Sequence, residues 1–166
     1  MSIVQERQAI AENFINQVDA AAKYNIGLEV TVAENGVSIP TTYKYVKSAG
    51  MEAYQPYVIS ETADGATSGA PATSTVIKLI GIPQASIATA MFGWVAIKGA
   101  CKAKTGIQAK GDTLEVINAG TSLIVDGSSG SPAETANTVA ISCEAAAAAG
   151  TVGINLIGKR VAIAAS

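Results

Sequence analysis

Five carboxylates, Asp64, Asp112, Asp126, Glu134 and Glu144, are the residues best suited to acid–base chemistry in this chain. Two of them facing each other across a cleft would suffice for glycoside hydrolysis. They are instead scattered among turns and strand edges, and Asp64-Gly65 and Asp126-Gly127 are ordinary turn dipeptides. The chain has no histidine. That removes Ser-His-Asp and Cys-His nucleophilic machinery, HExxH zinc sites and imidazole proton shuttling together. The Asp126–Ser131 segment fails as a nucleophile elbow, because the fifth position counted from Gly127 is Ser131 and not glycine. No Gly-Lys-Ser/Thr triplet and no calcium loop occurs. The residues therefore predict no catalytic, cofactor-binding or metal site, and a protein that is not an enzyme.

The two thiols read as structural. Cys101 shares its parity with Val95 and Ile97, and Cys143 with Val139 and Ile141, so both are expected to point inward, reduced and unbonded. Two cysteines without histidine do not make a metal site.

Lysines supply the one concentration of positive charge in mid-chain. Between Met91 and Lys104, Val95, Ile97, Cys101 and Ala103 occupy odd positions, while Lys98, Lys102 and Lys104 occupy even ones. This period-two pattern predicts a half-buried strand with a lysine-lined outer face. Trp94, the only tryptophan, falls on the lysine side and is expected to mark a contact surface. The face is either plainly solvated or a docking patch for an acidic protein surface. Nucleic acid fits poorly: the net charge is −2, and single-strand binders interleave several aromatics with their basic groups.

These residues need elements to position them. Ile3, Ile10, Phe14, Val18 and Ala22 recur at spacings of 7, 4, 4 and 4, which predicts an amphipathic helical arm over residues 1–24. Asn25 and Gly27 supply its stop signal. The stripe Ile3, Ile10, Phe14 and Val18 has to be buried, because an isolated helix of this length is marginal in water. A neighbouring subunit or a larger assembly is the expected seat, with packing back on its own domain as the alternative. From about residue 25 to 166 the pattern turns to short β runs. They are Leu28–Val32, Tyr43–Val46, Tyr57–Ser60, Val76–Ile82, the Trp94 strand, Thr113–Ile117, Ser122–Val125, Thr138–Glu144, Val152–Ile157 and Val161–Ile163. Segments 61–75 and 126–137 read as loops. Ala145–Ala149 fits one helical turn or a flat loop equally. Short strands at such spacing predict a single all-β domain, a sandwich or a barrel.

Composition adds two expectations. Apolar residues make up 49% but aromatics only 5%, so much of the core would be alanine, and subunit contacts are expected to add burial. No basic-then-apolar leader opens the chain, and the glycines and charges of residues 145–166 break any run of the ~20 apolar residues that a membrane span needs. Secretion and membrane insertion are therefore not expected, and synthesis in a cytoplasm is.

Three stretches carry a family resemblance. Tyr43-Lys44-Tyr45-Val46-Lys47-Ser48-Ala49, followed by Tyr54 to Ile59, resembles the opening of small tailed-phage capsid cement (decoration) proteins. Phe92-Gly93-Trp94-Val95-Ala96-Ile97-Lys98-Gly99-Ala100-Cys101-Lys102-Ala103 is similar to their aromatic-Gly-Trp-Val strand, and Val152-Gly153 with Leu156 to Val161 to their closing strand. The resemblance spans roughly residues 40–166 and leaves the segment 3–22 outside it. It implies a β-rich, non-enzymatic virion protein on the capsid exterior, commonly a homotrimer, whose partner is the major capsid protein. The alternatives are another virion component, such as a tail or fibre-attachment protein, and a sugar-binding β module.

Overall fold

The computed structural model describes residues 15–33, 39–59, 74–116, 120–125, 138–158 and 160–163. Among these residues ten strands form in chain order: β1 (Glu29–Val32), β2 (Thr41–Lys47), β3 (Tyr57–Ile59), β4 (Ser74–Pro83), β5 (Phe92–Thr105), β6 (Thr113–Val116), β7 (Leu123–Val125), β8 (Thr138–Ser142), β9 (Gly150–Leu156) and β10 (Arg160–Ile163). The all-β expectation holds, and the choice between sandwich and barrel resolves into a closed barrel joined to an open sheet.

The 14-residue β5 does the joining. Its first half lies between β2 and the end of β4, with Tyr45 opposite Trp94 and Ile82 opposite Ala96. Its second half pairs with β9 from Gly99↔Leu156 to Thr105↔Gly150. From β9 the ring runs through β8, β6 and β7 and returns to β5 at Thr105↔Leu123, closing five strands. Where β5 leaves β4, β10 takes over the vacated edge, with Arg160 opposite Leu79. β3 pairs the opposite edge of β4, and β1 flanks β2.

The departure has a local cause. Tyr43 faces Ala96 but Thr42 faces Lys98, so Ile97 is an extra residue, a β-bulge. Gly99 follows with φ 91°, and a Cβ there would overlap the Pro40 carbonyl oxygen. Only glycine meets both conditions.

The bulge moves the side chains of β5 across the sheet. Trp94 and Ala96 pack with Ala103 in one large core cluster that includes Tyr43, Tyr45, Leu114, Leu123 and Ile154. Val95 and Ile97 enter a second cluster with Val46, Met51, Ile59 and Ile87 on the other face. Residues 93–97 are thus buried in succession, because this half of the strand is covered on both faces.

The predicted helical arm requires correction. Residues 1–14, and with them Ile3, Ile10 and Phe14, lie outside the described residues. Over residues 15–24 only Ile15 is helical, Asn16 is in a turn, and no helix element occurs among the described residues. Asp19 instead makes an antiparallel bridge to Phe92, with hydrogen bonds of 2.8 and 2.9 Å. The described part of the segment packs on its own domain: Ile15 is in the main core, and half-buried Val18 packs against the second cluster. A weak helical pattern gave way to backbone pairing and apolar burial offered by the sheet.

The cysteine reading is half corrected. Both thiols are free; Cys101 is half-buried against the core, but Cys143 is exposed. Cys143 shares its parity with Ile141, which is itself 39% exposed, whereas Ala140 and Ser142 are buried, so the strand turns that parity outward. Ala145–Ala149 is an irregular segment that bridges through Ala146 to Gln108, without helix. Segment 126–137 and most of 61–75 lie outside the described residues.

Candidate interaction surface

The four residues expected to share one face of β5 do not. Trp94 is 2% exposed and sits in the core, on the opposite side of the sheet from the lysines that follow the bulge. Its ring packs against Tyr45 at 5.1 Å and Tyr24 at 5.4 Å between centroids, and Tyr45 stacks on Phe92 at 6.2 Å. The tryptophan is a core anchor, not a contact residue. Alternation misplaced it because it assumes one wet face and an unbroken register. Two-sided burial removed the first condition and the Ile97 bulge the second.

The lysines remain together. Lys98 and Lys102 are exposed, and neither has a carboxylate partner among the described residues. Lys98 borders a hollow of about 350 Å³ with Glu29, Thr31 and Thr42. Lys104 is half-buried and pairs with Glu52 at 3.3 Å. The row is held straight by unusual edge partners. On the side of β5 away from β9, the Gln84 amide accepts from the Lys102 N–H at 3.0 Å and donates to its carbonyl at 3.1 Å. Two residues on, the Lys104 N–H donates to the Tyr54 carbonyl at 2.7 Å. A side chain and a loop carbonyl thus stand where a strand would, and Tyr54 holds φ 66° to present that carbonyl.

Beside this edge lies a cleft of about 680 Å³, lined by Tyr43, Tyr54, Gln84, Ala100, Cys101 and Lys102 among others. The described residues that line it include no carboxylate. Burial pushes the Cys101 thiol well above the ordinary thiol range, and nearby Cys143 adds to the shift, so Cys101 is a poor nucleophile. The described carboxylates are committed elsewhere. Asp112 accepts from the Ala109 N–H at 2.7 Å, and Glu144 from the Gly153 N–H at 3.1 Å. Asp64, Asp126 and Glu134 lie outside the described residues. Among the described residues there is no group of three or more His, Cys, Asp or Glu placed to hold a metal ion, and no helix long and apolar enough to cross a membrane.

Sequence reasoning missed Asp19, which is 4% exposed. Its carboxylate accepts from the buried Tyr45 hydroxyl at 2.9 Å and pairs with Lys23 at 2.5 Å. The available signal was a lone acid at the edge of an apolar stripe, beside Val18.

No protein-family model and no curated protein matches the chain. Among solved structures, the chain is similar to the head fiber gp8.5 N base in bacteriophage phi29, with a TM-score of 0.50. Its fold is similar to that of a phage head fibre base. The match covers 73% of this chain and 98% of that one, at 13% identity. At that identity the likeness is one of fold.

Proposed function

We propose that this protein is a non-enzymatic structural component of a phage virion that sits on the capsid exterior and binds the major capsid protein. The observation that carries the reading is the fold likeness to a head fibre base, extending over nearly all of that domain. The cement-protein resemblance of residues 43–59 and 92–103 points the same way independently. A chain without histidine, in which Asp112 and Glu144 accept from the backbone N–H groups of Ala109 and Gly153, is in keeping with a structural role.

The mechanism is mass action: a protein that binds the assembled shell and not its separated subunits stabilises the shell. Exposed Lys98 and Lys102 on a stiffened strand edge offer a patch for an acidic surface, which speeds and orients docking more than it adds affinity. A homotrimer would add burial to a core that relies on residues as small as Ala96, Ala103 and Ala140.

A second reading, the attachment base of a fibre, is favoured by the fold likeness to a head fibre base in particular. Incubating the purified protein with empty capsids of its phage separates the two. A cement protein saturates the lattice stoichiometrically and raises the shell's melting temperature. A fibre base occupies few sites and leaves the melting temperature unchanged. No capsid binding at all would overturn both.

A further inference from the structure

The bulge in β5 does more than bend the strand. Ile97 and Lys98 reach one hollow on the same face of the sheet, where strict alternation would have parted them. That hollow, about 350 Å³ in volume, is lined from β1, β2, β4 and β5. Its floor is apolar, since Leu79 and Ile97 are each 7% exposed. Its polar side is a cross-strand row: Thr31 stands opposite Thr42, and Thr42 opposite Lys98. Partners in such a row have Cβ atoms about 4.5–5.5 Å apart, so their polar ends serve one ligand.

The row has spare bonding capacity. The Thr31 and Thr42 hydroxyls bond each other at 2.9 Å, which uses one of their two protons and leaves the other without an acceptor among the described residues. With Thr31 as donor, the free proton is that of Thr42, beside Lys98. Lys98 has no ion-pair partner among the described residues. Its stem lies on the bare backbone of Gly158, where a Cβ would come within 2.9 Å of Lys98 Cβ and Cγ. Glu29, the only carboxylate among the described lining residues, is already bound to Lys44 at 3.2 Å. The hollow thus presents one uncompensated positive charge, one hydroxyl donor and an apolar floor. A carboxylate on a short alkyl stem matches all three: its two oxygens accept from Lys98 and Thr42, and its methylenes rest on Ile97 and Leu79.

We propose that this hollow is the socket for a single Asp or Glu side chain of the major capsid protein. The proposal rests on the capsid-binding reading above and adds a point of contact to it. Lys98 grips one carboxylate, whereas Lys102, which does not line the hollow, supplies only general attraction.

Binding of the full chain to empty capsids tests the socket, with the wild type measured first and each variant's melting temperature recorded. Thr42→Val and Lys98→Gln should each weaken binding about tenfold. The double variant should lose clearly less than the product of the two, because both groups hold one carboxylate. Thr42→Ser keeps the hydroxyl and should bind as wild type, and Lys102→Gln should lose less than Lys98→Gln. Equal losses at the two lysines, with Thr42→Val binding as wild type, would overturn the socket and leave the capsid-binding reading standing. A wild type that binds no capsid would overturn both. Zero-length carbodiimide cross-linking of the decorated capsid gives a readout that does not depend on how the variants fold. Peptide mass mapping should join Lys98 to a capsid Asp or Glu. Capsid links from Lys102 but none from Lys98, or a Lys98 link to a second copy of this chain, would overturn the assignment.

Discussion

The Asp19 carboxylate and the Tyr45 hydroxyl, 26 residues apart in sequence, meet at 2.9 Å inside the protein. Tyr45 is 0% exposed and donates; Asp19 is 4% exposed and accepts. The contact pins the N-terminal segment across β2, while the Asp19–Phe92 backbone bridge pins it to β5. The segment is therefore built into the domain as far back as Ile15.

Tyr45→Phe is expected to destabilise the fold by about 1–3 kcal/mol, because the buried carboxylate loses a donor. In a chain of this size that lowers Tm by roughly 2–4 °C per kcal/mol. Asp19→Ala should cost at least as much, since it strands the Tyr45 hydroxyl. Thermal melts of the two single variants and the double variant measure the coupling, and additive losses would show that the two groups do not interact.

Gly99→Ala should be worse. The φ of 91° disfavours any side chain, and the new methyl would overlap the Pro40 carbonyl. A cost on the order of 2–4 kcal/mol follows from strain and overlap together. Urea unfolding gives the value. Wild-type stability in the variant would mean that the β5 crossover tolerates a different path.

Three groups make the protein sensitive to alkali. Cys101 is shifted up mainly by burial, Tyr45 mainly by burial, and Lys23 mainly by its hydrogen bond to Asp19. A raised folded-state pKa means that the unfolded chain gives up its proton first. Each contribution is therefore whole below the unfolded value, near 9.0, 10.0 and 10.5 respectively, and declines as pH rises beyond it. Stability should be unaffected by these groups below pH 9 and fall from there upward, with Cys101 leading. Cys101→Ser should delay the onset; an unchanged onset in that variant would exclude the thiol as its cause.

The thiols should differ sharply in reactivity. Cys143 is exposed, whereas Cys101 packs its side chain against the core with its ionisation suppressed. Titration of the native protein with a chromogenic disulfide should show one thiol reacting fast and one appearing only on denaturation. Two fast equivalents would place Cys101 outside the core.

If the lysine edge docks on a capsid, Lys98→Glu with Lys102→Glu should weaken binding on the order of tenfold or more at low salt, with the gap closing as salt is added. Neither residue has an ion-pair partner among the described residues, so the fold should melt as wild type. Undiminished capsid binding would move the contact to another face.

Much of the β architecture is legible in the residues themselves. Val152, Ile154 and Leu156 alternate with Gly153 and Asn155, and β9 forms with that inner and outer assignment because the barrel has one dry face. The missing histidine and the turn-bound acids are likewise properties of sequence alone. What the tertiary structure decided is where neighbouring elements change the local rule. Trp94 went inside because the first half of β5 is covered on both faces, and alternation carries no information in a strand without a wet side. The bulge at Ile97 then set Lys102 and Lys104 on the opposite side from Trp94. Residues 16–24 form no helix because Phe92 offered backbone hydrogen bonds and Tyr45 offered a buried partner for Asp19. Local spacing records which side chains prefer to be buried together; which surface receives them depends on strands dozens of residues away.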